Sequence, residues 1–314
     1  MLNSANTQMS QTLSIGRFAP SPSGPLHFGS LLAAVASFMQ AKHQGGKWLV
    51  RIEDIDPPRE VAGASDTILR QLDSHGLHWD DSAIYQSAQI RQYLGFLEDL
   101  RSQNVIYNCD CTRQRLNSLN GIYDSKCHQL NLPAEKTSVR LSIKDSLKDL
   151  GLKNDKVQFC DSIMGDYVQS LIQDIGDFVL RRRDGLISYQ LAVVIDDHLQ
   201  GVTEIIRGTD LIDSTPRQIL LQQCLGLKTP TYGHIPLAMN NLGQKLSKQA
   251  HAKQLPQGNE QEQVWLALNW LKQNPPRELR TSSVKDIIDW GISFWDISKI
   301  PDSKKGFSAP DNLK

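Results

Sequence analysis

A stiff loop with polar side chains, residues 17–30, holds the first residues that could do chemistry. Arg17, Ser21 and His27 lie on a backbone with three prolines and two glycines, and an apolar helical run follows directly. Proline fixes φ and removes a donor, whereas glycine permits close approach of the backbone to a ligand. A helix N-terminus offers N–H groups and a positive dipole to phosphate. The pattern indicates a phosphate-binding loop, although alone it fits an architectural loop equally well.

Two lysines, Lys245 and Lys248, stand three positions apart on a segment that a glycine precedes. Ammonium groups on such a loop could neutralise a triphosphate as charge develops during phosphoryl or nucleotidyl transfer. A solvated surface loop is the ordinary alternative, and the spacing by itself does not decide between the two.

Three of the five cysteines, Cys109, Cys111 and Cys127, fall within nineteen residues. Thiolates in such a cluster suit tetrahedral Zn²⁺, which needs one further ligand. Tyr123 and His128 are the available candidates, and histidine is the commoner zinc ligand. Since no open coordination position is implied, the metal would be structural; free thiols without metal are the alternative.

Composition limits the class of protein. The 314 residues allow a sizeable core, and 34 basic residues balance 34 acidic ones, so contact with nucleic acid must come from local patches. Long apolar runs are lacking, and the polar first dozen residues predict a disordered leader, not a signal peptide. The odd cysteine number argues against a disulfide framework, and Cys160 and Cys224 are predicted to be core residues. A soluble, cytoplasmic protein is expected.

The elements that must position these residues read as alternating strands and helices. Strands over 14–19 and 47–52 flank a helix over 31–42, a parallel unit that begins an α/β sheet. An irregular polar region is expected over 107–129, followed by a β-like region to about 168. The other predicted elements are helices near 65–75, 88–103 and 216–225, from 189 and over 264–271, and strands over 177–180 and 203–206.

The loop over 17–30 resembles the signature of class I glutamyl-tRNA synthetases, in which a HIGH-type motif follows an arginine- and proline-containing start. The HIGH element here is His27-Phe28-Gly29-Ser30, with Ser30 in place of the second histidine. Further blocks match in family order, and together they are far more specific than one short motif. They cover residues 51–59, 177–182, 184–185, 188–198, 206–211 and, as a KMSKS-like element, 245–249.

The resemblance implies an α/β fold, the Rossmann-type catalytic domain of class I aminoacyl-tRNA synthetases, with a zinc-binding insertion, a short helical C-terminal part and no anticodon-binding domain. The expected division is a disordered leader (1–13), a first catalytic half (14–106), an acceptor-side insertion with the zinc site (107–176), a second catalytic half with the KMSKS-like loop (177–256) and a helical C-terminal segment (257–314).

The resemblance also implies roles for single residues, with catalysis assigned to His27, Lys245 and Lys248. The residues implied for glutamate are Arg17, Ala19, Ser21, Glu53, Tyr189 and Arg207. Those implied for ATP are His27, Gly29, Ser30, Lys245, Leu246, Ser247 and Lys248. The family favours Tyr123 as the fourth zinc ligand, which gives the set Cys109, Cys111, Tyr123 and Cys127. Arg207 could clamp a carboxylate with two parallel bonds, which lysine could not.

The chain ends about where the catalytic half of a glutamyl-tRNA synthetase ends, and with its Cys-x-Cys insertion and Ser30 it resembles the short glutamyl-queuosine tRNA(Asp) synthetases. This implies a monomer that activates L-glutamate with ATP and Mg²⁺, without tRNA, and transfers it to queuosine in the anticodon loop of tRNA(Asp). The alternatives are an ordinary synthetase that charges the tRNA 3′ end and an inactive paralogue that only binds glutamate or ATP.

Two charged runs have two interpretations each. Asp196, Asp197 and His198 could suggest a metal site, but closing a helix and holding neighbouring loops is the simpler interpretation. The arginine run over 181–183 could contact phosphate or form a solvated strand end.

Overall fold

Strands and helices alternate from the first described strand onward. The computed structural model describes residues 13–119, 121–246 and 253–313. The strands are β1 (Ile15–Phe18), β2 (Lys47–Ile52), β3 (Ile84–Tyr85), β4 (Ile106–Cys109), β5 (Ser138–Leu141), β6 (Lys156–Asp161), β7 (Gly165–Ser170), β8 (Phe178–Arg181), β9 (Glu204–Gly208), β10 (Thr231–Ile235), β11 (Ala238–Met239) and β12 (Phe307–Ser308). The helices are α1 (Phe28–His43), α2 (Ala64–Ser74), α3 (Ile90–Ser102), α4 (Arg113–Asn117), α5 (Ile143–Asp149), α6 (Tyr189–Leu199), α7 (Thr215–Cys224), α8 (Glu260–Trp270) and α9 (Val284–Phe294).

The predicted strand–helix–strand unit at the start of the chain is confirmed. β1 and β2 pair in parallel, with Phe18 opposite Val50. The connecting helix α1 is buried along most of its length, as expected of a crossover helix in the middle of a core. It ends at the predicted glycines, where Gly45 takes a φ of +66° that a side chain would disfavour.

A second group of parallel strands lies beside the first. β9 pairs with β10 and β10 with β6, both in parallel. The backbone N–H of Thr203 donates to Ile15 O at 2.9 Å, so the chain enters β9 alongside the start of β1. β6 belongs by position to the predicted insertion, yet it hydrogen-bonds into the sheet of the second catalytic half.

The segment after α3 forms its own antiparallel sheet, in the order β4-β5-β8. The expected irregular region is therefore partly regular, because β4 extends into it and α4 follows. Helix α5 lies where only β structure was predicted. Its start could have been found in the sequence, since Ser142 caps it by accepting a hydrogen bond from Asp145 N.

Two apolar clusters hold the elements together. One surrounds α1 and includes α8 and α9; the other surrounds α3, α6 and α7. Helix α9 lies in the segment predicted to be helical, but its bounds were not predicted, although Ser283 and Asp286 form a capping box at its start. Cys224 is buried as predicted, but the prediction for Cys160 is wrong. Side chains alternate faces along β6, which places Cys160 on the exposed face.

No helix among the described residues is both long enough and apolar enough to cross a membrane.

Candidate active site

The predicted phosphate loop connects the end of β1 to the start of α1. His27 is the residue that caps the helix, and its Nδ1 accepts a hydrogen bond from Ser30 N at 3.2 Å. Since Nδ1 is then the acceptor, the neutral ring carries its proton on Nε2, 3.1 Å from Ser30 Oγ. A Cβ at Gly29 would come within 3.1 Å of the ring, so glycine lets the imidazole lie against the first helical turn.

A cavity of about 530 Å³ lies at the carboxyl ends of the parallel strands β1, β2, β9 and β10, the edge where open α/β sheets bind ligands. It brings together eight of the predicted site residues from four separate parts of the chain. They are Ser21, His27, Gly29, Ser30, Glu53, Tyr189, Lys245 and Leu246. Arg17 and Arg207 are buried in the adjacent strands β1 and β9, and Ser247 and Lys248 lie outside the described residues.

Glu53 follows β2 directly, and its backbone N–H donates to Pro20 O at 2.9 Å, which fixes the strand end against the phosphate loop. Its Oε1 atom is buried and accepts no hydrogen bond from the described residues, while Arg51 Nη2 lies 3.9 Å away. Burial raises the pKa of Glu53 to about 7 despite the nearby arginines. A cationic ligand group would supply the missing donor.

A buried ion network lies behind Glu53. Asp197 accepts from Arg17 Nε at 3.1 Å and from Arg51 Nη2 at 2.8 Å, while Arg51 Nε lies 3.5 Å from Asp196. Burial alone would raise the pKa of Asp197, but the two guanidinium groups outweigh it and lower the pKa. Asp196 and Asp197 lie in the last turns of α6, where they pair with arginines of strands β1 and β2. The sequence had suggested instead that this run holds neighbouring loops.

Arg207 is almost fully engaged within the protein. Its Nε donates to His234 Nε2 at 3.0 Å, and its Nη2 donates to Thr215 Oγ1 at 2.8 Å and to Leu211 O at 3.4 Å. Its Nη1 donates to Tyr189 Oη at 3.3 Å. Four of the five guanidinium donors are thus taken. The two-bond clamp suggested by the sequence does not fit this arrangement, which leaves a single Nη1 hydrogen.

Lys245 lies at the opposite, more exposed side of the cavity. Its Nζ pairs with the Asp210 carboxylate, and both side chains are partly exposed. The next residue, Leu246, is buried and donates its N–H to Ala238 O at 2.8 Å, so the segment is held on β11 up to that point. Such an exposed ion pair contributes little to stability and can exchange partners readily.

The three clustered cysteines form a separate candidate metal site. The Sγ atoms of Cys109, Cys111 and Cys127 all lie within 4.8 Å of one another. Tyr123 Oη is 3.4 Å from Cys109 Sγ and 3.3 Å from Cys111 Sγ. The other candidate ligand, His128, has its Nε2 paired with the carboxylate of Asp145. The donor set could hold a metal ion, and the phenol is better placed than the imidazole.

Electrostatics favour thiolate at Cys109, whereas burial raises the pKa of Cys127 to about 11. Burial alone would raise the pKa of Cys109, but hydrogen bonding by Tyr123, the backbone of Cys111 and Arg140 outweighs it and lowers the pKa to about 7. The Arg140 guanidinium also stacks over the Tyr123 ring, with its carbon 4.0 Å from the ring centroid. Since thiolate is the form that binds metal, this environment suits coordination.

Comparison with known proteins decides the family. Residues 15–264 match the family model described as tRNA synthetases class I (E and Q), catalytic domain. The chain is 47% identical over 296 residues to the glutamyl-Q tRNA(Asp) synthetase of Klebsiella pneumoniae (strain 342), covering 94% of this chain and 98% of that one. The protein of that name from Escherichia coli (strain K12) is also 47% identical, with 94% and 93% covered. The chain belongs to the glutamyl-Q tRNA(Asp) synthetase family.

Members of this class I family are ATP-dependent ligases, and the solved structures agree on the fold. The glutamate-tRNA synthetase of Elizabethkingia anophelis superposes with a TM-score of 0.77 at 22% identity, covering 96% of this chain and 69% of that chain. The glutamate tRNA ligase of Elizabethkingia meningosepticum, in complex with its amino acid, gives 0.76 at 22% identity, with 96% and 68% covered. The expected class I catalytic fold is confirmed.

Sequence reasoning missed the buried residues behind the cavity. His234 and Asp161 are 0% and 2% exposed and connect to Arg207. A histidine near the end of an apolar strand gives no sign of its partner, because that partner lies 73 positions away. Arg51 was assigned only to the matching block over 51–59, and its two aspartate partners in α6 were not predicted.

The arginine run at the end of β8 is tied to the protein. Arg182 Nη1 donates to Asp56 at 3.0 Å and its Nη2 to Asp184 at 2.6 Å. Arg183 donates to Asp110 O. These contacts support the strand-end interpretation of the run.

Proposed function

We propose that this chain, as a cytoplasmic monomer, activates L-glutamate with ATP and then transfers the glutamyl group to queuosine in the anticodon loop of tRNA(Asp). The shared name of the relatives supplies the acceptor. The first step rests on Glu53, which lines a cavity that also reaches His27 and Lys245 and whose buried Oε1 accepts no hydrogen bond from the described residues. A zwitterionic amino acid and a triphosphate need an anion and cations at opposite ends of one site.

In this proposal the buried end of the cavity binds glutamate. Glu53 accepts hydrogen bonds from the ammonium group, which satisfies its buried Oε1. The remaining Nη1 hydrogen of Arg207 and the hydroxyl of Tyr189 bind the side-chain carboxylate. The other proposed contacts with the amino acid are Arg17, Ala19 and Ser21.

The exposed end binds ATP, with Mg²⁺ as part of the substrate. An α-carboxylate oxygen of glutamate attacks the α-phosphorus in line, the bond to the bridging oxygen breaks, and pyrophosphate leaves. His27 and the α1 N-terminus hold phosphate oxygens, while Gly29, Ser30 and Leu246 pack against the nucleotide. Lys245 leaves Asp210 for the triphosphate, and Ser247 and Lys248 complete the loop. A hydroxyl of the queuosine ring then attacks the acyl carbon and AMP leaves.

For the cysteine cluster we propose Zn²⁺ held by Cys109, Cys111, Cys127 and Tyr123. When bound, the ion supplies a structural cross-link within the insertion. The observed sulfur spacing and the nearby phenol support this set. Metal analysis after dialysis tests it: Tyr123→Phe should lower zinc content, whereas His128→Asn should keep it. The opposite result would make His128 the ligand.

The central experiment incubates the protein with ATP, labelled glutamate and tRNA from cells with and without queuosine. Pyrophosphate exchange with glutamate alone should occur, and label should enter only queuosine-containing tRNA, mapped by nuclease digestion to the anticodon loop. Label on the terminal adenosine would show an ordinary glutamyl-tRNA synthetase. Absence of exchange would show the inactive paralogue.

A further inference from the structure

Three neighbouring parallel strands each contribute one buried polar residue in a continuous hydrogen-bonded line. Asp161 ends β6, His234 lies in β10, and Arg207 lies in β9, where it is the register partner of His234. All three are at most 5% exposed. Burying polar groups in strands is costly unless they are paired, so three of them in hydrogen-bonded sequence suggest a functional role.

The line begins at a carboxylate that the backbone fixes. Asp161 Oδ1 accepts from the N–H groups of Ile163 at 3.0 Å, Met164 at 2.9 Å and His234 at 3.0 Å. Because three donors surround Oδ1, the carboxylate cannot rotate without losing them. Its second oxygen, Oδ2, lies 2.5 Å from His234 Nδ1.

These contacts fix the tautomer of His234. Nδ1 donates its proton to Asp161, and Nε2, without a proton, accepts from Arg207 Nε at 3.0 Å. Burial, with the neighbouring Arg207, lowers the pKa of His234, which keeps the ring neutral as this acceptor role requires. A second proton on Nε2 would point a donor at a donor.

We propose that Asp161 and His234 are positioning residues for glutamate: they fix the Arg207 guanidinium so that its one remaining Nη1 hydrogen faces the substrate's side-chain carboxylate beside Tyr189. The inference rests on the proposed function, because it assigns Arg207 to glutamate. A guanidinium whose other four N–H groups are already bonded can donate only one hydrogen bond, in a fixed direction. It therefore selects a substrate by the position of its carboxylate as well as by its charge.

Asp161→Asn tests the line with almost no change in shape. The three backbone donors require the amide oxygen at the Oδ1 position, so the amide NH₂ faces His234 Nδ1 and turns it into an acceptor. The proton then moves to Nε2 and opposes Arg207 Nε–H. We expect KM for glutamate in pyrophosphate exchange to rise about tenfold to a hundredfold, the range for loss of a hydrogen bond to a charged group. KM for ATP should stay within about twofold.

The matched control removes a buried histidine elsewhere. His75 is 2% exposed and bonds to Gln71 O and Gln263 Oε1. His75→Gln should lower stability and leave KM for glutamate unchanged. A folded Asp161→Asn protein with unchanged KM for glutamate would overturn the proposal, as would an equal rise in the control.

Two further variants keep the test valid if Asp161→Asn does not fold. His234→Gln retains an acceptor near the Nε2 position, whereas His234→Leu removes it. KM for glutamate should rise in the leucine variant and be largely restored in the glutamine variant; equal values would contradict a positioning role.

Nitrogen-15 NMR of the imidazoles, with the His234 signal assigned from its loss in His234→Gln, gives a readout independent of activity. The protonated nitrogen should be Nδ1 in the unmodified protein and Nε2 in Asp161→Asn. The same tautomer in both would overturn the inference. Absence of exchange in the unmodified protein would instead refute the proposed function, while the tautomer measurement would still stand.

Discussion

The two ends of the cavity are built differently. At the end proposed for the amino acid, Arg17 and Asp197 pair with side chains only 4% and 5% exposed. At the end proposed for the phosphates, Lys245 and Asp210 pair with side chains 41% and 33% exposed. A buried pair is held in one geometry and is costly to break, whereas an exposed pair is nearly neutral. The fixed end suits selection of a substrate, and the exchangeable end suits a step in which charges move.

Removing the central arginine of the buried network should produce the largest effect. Arg51→Met removes the buried cation beside Asp196 and leaves Asp197 paired with Arg17 alone, so the free energy of unfolding should fall by about 3–5 kcal/mol. Urea denaturation followed by circular dichroism measures it. Lys285→Met, which removes an exposed pair with Asp289, should leave the midpoint unchanged. Equal midpoints for both variants would remove the distinction between buried and exposed pairs.

Neutralising Glu53 should affect glutamate far more than ATP. Glu53→Gln keeps the shape but removes the anion proposed for the ammonium, so kcat/KM for glutamate should fall about a hundredfold, while KM for ATP changes little. Pyrophosphate exchange at varied concentrations of each substrate measures both. Glu60→Gln, at an exposed carboxylate near the same loop, serves as control. An equally large effect on the kinetics with ATP would contradict the proposal that Glu53 binds the amino acid.

The raised pKa of Glu53 predicts that KM for glutamate depends on pH, whereas KM for ATP does not. Below about pH 7 the free carboxyl is protonated, and the substrate ammonium must displace that proton. KM for glutamate should therefore rise with falling pH, approaching about tenfold per unit below pH 7. Exchange assays between pH 6 and 8 measure the slope. The slope should vanish in Glu53→Gln; its persistence there would assign it to another group.

The smallest effect is expected at the exposed pair. Asp210→Asn should change the free energy of unfolding by less than about 1 kcal/mol. Because Lys245 no longer has to leave an anion, KM for ATP should stay the same or fall by a few-fold. Thermal denaturation and ATP titration measure the two quantities. A large loss of stability would show that this end is as rigid as the other.

Local patterns in the sequence predicted much of the fold. The strand–helix–strand unit and helix α6 follow from apolar periodicity, and the blocks around His27 and Lys245 indicated the family. Helix α5 and the bounds of α9 were missed although Ser142 and Ser283 cap these helices, since capping signals are weak beside composition. Cys160 is exposed because the opposite face of β6 packs against the core, and the local sequence does not indicate which face that is.

The features of the site that could not be predicted from the sequence are contacts between residues far apart along the chain. The partner of His234 is 73 positions away, and that of Arg17 is 180 positions away. The donor count of Arg207, which leaves one Nη1 hydrogen without a partner among the described residues, depends on groups from other elements. For the fourth zinc ligand, the pairing of His128 with Asp145 supports the proposed Tyr123.

The position of β6 has a consequence for how this fold can be divided. By sequence order β6 lies in the insertion, but in the sheet it is the neighbour of β10 and ends in Asp161. A minimal enzyme made by excising residues 107–176 would lose the carboxylate that anchors His234 and, through it, Arg207. A segment that replaced residues 107–176 would therefore need to supply its own strand beside β10 and its own aspartate.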